Sequence, residues 1–282
     1  MTMRFVSIGL AAATLTVAVP QAVDSQPLPA EASLTYADLA DLALPASVAA
    51  HLKVTRARAL RENEAPNVPP GHRRFLIEAE VVALIRASGG LSQQVSYLVD
   101  LPNDERGRAA RIRRHSEVLV LADTVPNRPG ELRLAAPDAQ LPFTAGTAAR
   151  LREILSESAQ PGAAPRITGI GRAFHVPGSL PGESETQIFL QTADGRPISL
   201  NVLRRPGERP RWSVALSEIV DDAAAPPAPG TLLWYRLACT LPAALPGQSL
   251  AEAQPEEARA IRDDYRLVIE RLGPCARSRA RR

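Results

Sequence analysis

Five arginines crowd into nine residues, at Arg106, Arg108, Arg111, Arg113 and Arg114. Guanidinium forks at that density suit phosphate or carboxylate, because each offers paired N–H donors in one plane. Asp104 and Glu105 precede them, so an anion-binding loop and a solvated, partly self-neutralised loop both stand as readings. Glu183, Glu185 and Asp194 could bracket a sugar, provided that the fold makes them converge; solvation of hairpin ends is the plainer reading. Trp234 and Tyr235 lie close to Cys239 and could form a binding platform or pack against a disulfide.

The chemistries with recognisable spacing are not spelled out. The histidines, His51, His72, His115 and His175, form no His-Glu-x-x-His arrangement and share no zinc spacing with cysteine. Gly178-Ser179-Leu180-Pro181-Gly182 places its serine one position early for a nucleophile elbow. Lys53 is the one lysine, so no Ser-x-x-Lys pair is possible. Gly169-Ile170-Gly171 opens a dinucleotide fingerprint, but Phe174 takes the third glycine position and no crossover helix follows. No catalytic, metal-ligating or cofactor-binding residue is assigned on this basis.

The elements that would position these groups are mostly strands. Leu34 to Leu44 reads as a helix, with Leu39, Leu42 and Ala43 on one face, Thr35 as its cap and Pro45 as its stop. Five strand signals follow: 51–56, 74–86 with Phe75, Ile77, Ala79 and Val81 inward, 94–101, 116–124 and 131–135. No long helix separates them, a spacing that suits a curled antiparallel sheet or a small barrel of the oligonucleotide/oligosaccharide-binding type. A helix over 144–158 and the linker 160–165 end this half. The second half restarts with strands at 167–176, 186–192, 198–204 and 212–219. Asp194-Gly195 is the strongest hairpin signal, and Pro206 to Pro210 closes the next hairpin. Residues 232–241 read as a short apolar helix, and 255–272 as a clearer one, with Ile261, Tyr265, Val268, Ile269 and Leu272 at helical spacing.

The chain has 282 residues, 45% apolar and 22% charged, enough for a sizeable core. Phe5 to Val19 is uncharged and follows Arg4, the anatomy of a secretory leader with cleavage expected after Ser25. Cys239 and Cys275 are the two cysteines, and in an oxidising compartment the pair is expected as a disulfide. The formal charge is +3, yet Arg277, Arg279, Arg281 and Arg282 alone carry +4. The body is thus near neutrality, which argues against a nucleic-acid-binding surface.

The predicted class is α+β and β-rich. It comprises two antiparallel sheet domains, the first with a small five-stranded barrel as one possible form, plus a C-terminal disulfide-linked helical segment. The boundaries read 1–25 for a signal peptide, 33–158 for a barrel-like domain with flanking helices and 159–165 for a linker. The second sheet domain reads as 166–222, the helical segment as 223–276 and an Arg-rich tail as 277–282.

Tyr36 to Leu42, Ala136 to Gln140, Glu185 to Leu190, Trp234 to Cys239 and Gly273 to Cys275 together resemble a family of exported proteins of unknown function from GC-rich alphaproteobacteria. The likeness covers most of the mature chain. It implies export, and brings no activity, ligand or fold with it. The expected function is that of an exported, periplasmic or secreted binding or envelope-associated protein. Its partner would be an envelope component or a small ligand, with no cofactor, no nucleic acid and no transmembrane segment in a monomeric mature chain. The alternative is a periplasmic hydrolase whose Asp and Glu residues converge only in the fold. A third reading is a structural partner of another envelope protein.

Overall fold

A computed structural model describes residues 34–216 and 225–279. The expected leader and its cleavage site lie outside the described residues. So do the end of the strand expected at 212–219 and Arg281 and Arg282 of the tail.

Helix α1 (Tyr36–Ala43) begins at a capping box. The Thr35 hydroxyl accepts from the Asp38 N–H at 3.1 Å, and the Asp38 carboxylate accepts from the Thr35 N–H at 3.0 Å. The first sheet follows: β1 (Val48–Ala59), β2 (His72–Arg86), β3 (Gln94–Pro102), β4 (Glu117–Thr124), β5 (Glu131–Leu134) and β6 (Gln140–Pro142). Strand β1 pairs with both β2 and β4, β2 with β3, β3 with β5 and β5 with β4. That circuit closes a five-stranded barrel in the order 1-2-3-5-4, the order of oligonucleotide/oligosaccharide-binding barrels. The expected curled sheet is therefore present, with one departure. The pair β3/β5 is parallel, because a meander whose last strand returns beside its third can close only with those two running the same way. Strand β6, three residues on the flank of β4, was too short to show as an alternation.

Strand β4 buries Val118 to Ala122 without a break because both of its faces are covered. Val118, Val120 and Ala122 point into the barrel with Leu52, Ile77 and Tyr97. Leu119 and Leu121 point outward, onto α1 and α2 (Ala145–Ser158), where they meet Leu39, Leu42, Leu151 and Ile154. On β2, Phe75, Ile77 and Ala79 are buried as expected, but Val81 is only half-buried. Irregularities in the β1/β2 register at His51/Leu52 and Val54/Arg56 turn the strand past that point.

The second sheet is antiparallel throughout, in the order β10 (Arg211–Ala215), β9 (Ile198–Arg204), β8 (Ser184–Thr192), β7 (Ile167–Pro177). Asp194-Gly195 does mark a hairpin. Its connection runs from residue 193 to 197 rather than over two residues, and Gly195 takes the left-handed φ of 75°. One face of the sheet buries Ile188, Leu200, Val202 and Trp212 against α3 (Leu232–Ala238) and α4 (Pro255–Leu272). From α4 come Ile261, Tyr265, Val268 and Leu272. Helix α3 is shorter than the 232–241 expected. Gly273, with φ 72°, ends α4 and turns the chain toward α3. The predicted disulfide is there: Cys239 and Cys275 are bonded, with Cα atoms 5.1 Å apart. Among the described residues no helix is long and apolar enough to cross a membrane.

Residues 277–279 do not form a loose tail. Asp38 is fully buried and accepts the Ser278 N–H at 3.0 Å, the Ser278 hydroxyl at 2.6 Å and the Arg279 N–H at 3.1 Å. Arg277 pairs with Asp41 at 2.6 Å, and Arg279 with Asp138 at 2.6 Å. The Tyr235 hydroxyl donates to Asp41 at 2.6 Å as well. Burial alone would raise the Asp38 pKa, but the bonds from Ser278, Thr35 and Arg279 outweigh it and hold the carboxyl well below the usual range.

Candidate functional site

The turn between β9 and β10 reads Arg204-Arg205-Pro206-Gly207-Glu208-Arg209-Pro210-Arg211. Successive strand residues face opposite sides, so Arg204 turns under the sheet while Arg205 stays outside. Gly207, with φ 76°, makes the tight return, a conformation that costs glycine little. Arg211 then emerges on the outer side of β10. From α4, Arg271 reaches the same rim and donates to the Pro210 carbonyl at 2.7 Å.

Arg205, Arg209, Arg211 and Arg271 thereby surround a cleft of about 1190 Å³ on the outer face of the second sheet. All four are exposed. Among the described residues, none of them belongs to an ion pair. Glu185 is the one carboxylate among the described lining residues. The floor carries Asn201 and Ser213, paired across β9 and β10. Asn201 is only 6% exposed. Its Nδ2 donates to Ser199 Oγ at 3.2 Å, while its Oδ1 is buried and accepts nothing.

Beneath the cleft a buried polar chain fixes the turn. Arg204 donates to Asp264 Oδ1 through Nε at 2.8 Å and Nη2 at 2.5 Å. The Thr186 hydroxyl donates to Asp264 Oδ2 at 2.5 Å, and His175 Nδ1 lies 2.8 Å from that hydroxyl oxygen. The carboxylate can only accept, so the hydroxyl proton points to Asp264 and the oxygen must accept from His175. His175 therefore carries its proton on Nδ1. Asp264 is 1% exposed, so the chain ties α4 to three strands and holds the base of the arginine turn.

The arginine loop read from the sequence lies between β3 and β4 on the barrel. Ala109 and Ile112 pack against the barrel core and anchor it. Arg108 is spent on Asp104, at 2.8 Å, and holds that carboxyl below its usual range. Arg114 stands beside Arg56 and Glu78 in a smaller depression of about 550 Å³. Arg106, Arg111 and Arg113 project from the loop into solvent. Of the five, one is thus tied to a carboxylate and one is brought to a second guanidinium.

Glu183 and Glu185 flank the start of β8 and Asp194 follows its end, which separates them by about 30 Å at the rise of an extended strand. Glu183 accepts the Leu180 N–H, and Asp194 the Arg196 guanidinium, each within its own turn. Trp234 packs inside the second core and donates to the Leu272 carbonyl at 2.9 Å, so it is part of the joint beside the disulfide. His51 stacks on Phe143 at 3.8 Å and meets Glu117 at 3.0 Å. His72 is 3.0 Å from the Pro70 carbonyl. Among the described residues no three His, Cys, Asp or Glu side chains gather as a metal site.

The cleft was missed in the sequence because its arginines come from two segments some 60 residues apart. The signal that could have found it is the 204–211 run itself, four arginines against one glutamate, which reads first as hairpin punctuation. No known protein family and no curated protein matches this chain.

Proposed function

We propose that this chain is an exported binding protein that holds an anionic ligand in the arginine-rimmed cleft of its second sheet. The observation that carries the reading is the set Arg205, Arg209, Arg211 and Arg271 around one concave surface, with no carboxylate paired to any of them among the described residues. Like charges gathered without counter-charges cost stability, and an incoming anion turns that cost into affinity. Export is supported by the charge-free run after Arg4 and by the disulfide, which persists in an oxidising compartment. The anion can be a small molecule or a group on an envelope component. The hydrolase reading finds no support in Glu183, Glu185 and Asp194, which sit at opposite ends of β8.

Isothermal titration with inorganic sulfate, at constant ionic strength set by chloride, tests the reading. Saturable binding is expected in the wild-type protein, with at least tenfold weakening in Arg209→Gln/Arg211→Gln. Absence of saturable binding, or equal binding by the two proteins, would overturn it.

A further inference from the structure

The β9–β10 turn does not stand alone at its end of the sheet. Pro177, Ser184 and Arg204 share one row of pairings across β7, β8 and β9. The hairpin tip at 178–183 and the arginine turn at 205–210 therefore leave the sheet side by side. On the outer face the next row reads Val176, Glu185, Leu203, Arg211. Val176 is 62% exposed, and Leu180, at the tip, is 59% exposed. Phe174, the next outward residue on β7, is 43% exposed and meets Phe189 edge-on, with ring centroids 6.0 Å apart. Three of the seven large apolar side chains exposed among the described residues thus gather on one hairpin. Grouped in this way, they mark an interaction surface, whereas single exposed apolar residues are ordinary. The tip satisfies its own backbone. The Gly178 N–H donates to the Glu183 carbonyl at 2.7 Å, the Glu183 N–H to the Leu180 carbonyl at 3.0 Å, and the Leu180 N–H to the Glu183 carboxylate at 3.3 Å. These bonds fix the loop and leave the Leu180 side chain facing outward.

We propose that this end of the second sheet docks on an anionic lipid bilayer, with Val176 and Leu180 entering the boundary between headgroups and acyl chains and Arg205, Arg209 and Arg211 taking headgroup phosphates; this rests on the anion-binding reading above. An apolar tip beside guanidinium groups matches a surface that presents phosphate outside and hydrocarbon within. Val176 stands three strands from Arg211, about 14 Å at the usual strand spacing. A free phosphate or another small anion would reach the arginines alone and leave the hairpin in water, whereas a bilayer meets both. A side chain at a projecting tip enters a fluid layer without a matching socket, which a folded protein partner would have to supply. Glu183 is turned onto the tip backbone. Glu185 and Glu208, exposed beside these groups, keep the contact at headgroup level, because a carboxylate is costly in hydrocarbon.

Co-sedimentation with vesicles tests the proposal. Wild type, Val176→Ser/Leu180→Ser and Arg209→Gln/Arg211→Gln are mixed with vesicles of phosphatidylcholine alone or of equal parts phosphatidylcholine and phosphatidylglycerol, at fixed ionic strength. Wild type is expected to bind the mixed vesicles, and each variant to bind them about tenfold more weakly. Binding of wild type to phosphatidylcholine alone should be weaker by about the same factor. Val176→Ser/Leu180→Ser should bind inorganic sulfate as wild type does, which separates the hairpin from the arginines. No association of wild type with the mixed vesicles, equal association with both kinds, or undiminished association of Val176→Ser/Leu180→Ser would overturn the proposal. So would a dimer in solution that Val176→Ser/Leu180→Ser dissociates, since a second copy would then cover the hairpin. Failure of wild type to bind sulfate would instead strike the anion-binding reading, so the two failures are distinguishable. Should the double serine variant not fold, Leu180→Ser alone decides the same point, because the bonds of the tip do not use that side chain.

Discussion

Arg277 and Arg279 after the last helix and Arg209 and Arg211 at the cleft are the same residue type with opposite employment. The terminal pair is mostly buried, at 16% and 18% side-chain exposure, and each guanidinium is engaged by a carboxylate from the first half of the chain. The cleft pair is exposed and engages none among the described residues. Whether an arginine is available for a ligand is decided by what the fold places within 4 Å of it, and neither residue type nor local density in the sequence reveals that. The loop at 106–114 makes the same point from between: five arginines in sequence, with Arg108 already committed to Asp104.

Variants of the two regions should separate stability from binding. The largest stability loss is expected from Cys275→Ser. The bond closes a span of 36 residues, and loop-closure entropy puts its contribution at about 4 kcal/mol. Chemical denaturation with and without reductant checks this, and the barrel core is expected to survive the loss. Asp264→Ala follows, at about 3 kcal/mol, because it strands Arg204 and the buried Thr186 hydroxyl together. Unlike the disulfide variant it should also weaken sulfate binding, since Arg204 holds the base of the arginine turn.

Asp38→Ala should cost about 2 kcal/mol through the loss of hydrogen bonds to a buried carboxylate, with sulfate binding untouched. Its pH dependence has a definite sign. The folded-state carboxyl titrates well below its unfolded value near pH 4, so its contribution is present above that value and is lost as pH falls through the folded one. The stability gap between wild type and Asp38→Ala should therefore be full at pH 7 and shrink in acid below about pH 4, a trend that urea titrations at several pH values would follow. Smallest of all should be the stability change in Arg209→Gln/Arg211→Gln, within about 0.5 kcal/mol, because those exposed side chains form no ion pair among the described residues.

The regular elements were legible because their periods were clean. The cap at Thr35, the amphipathic run of α4 and the alternation in β2 each follow from local rules, and the disulfide from cysteine arithmetic. The barrel's parallel β3/β5 closure was not legible, since it pairs segments that no local period relates. Nor was the employment of the terminal arginines, whose partners Asp41 and Asp138 lie far back in the chain. The cleft hid for the same reason. Arg271 is an ordinary last-turn cation on α4 until the β9–β10 turn is folded beside it.

The central claim is that the cleft arginines are open to an anion and the terminal ones are not. The most direct measurement is the shift in thermal midpoint on adding millimolar sulfate at fixed ionic strength, a concentration too low for the general salting-out effect. It is made on wild type, Arg209→Gln/Arg211→Gln and Arg279→Gln. The midpoint should rise with sulfate in the wild type and, from a lower starting value, in Arg279→Gln, and should not move in the cleft variant. A full rise in the cleft variant, or its loss in Arg279→Gln alone, would contradict the account.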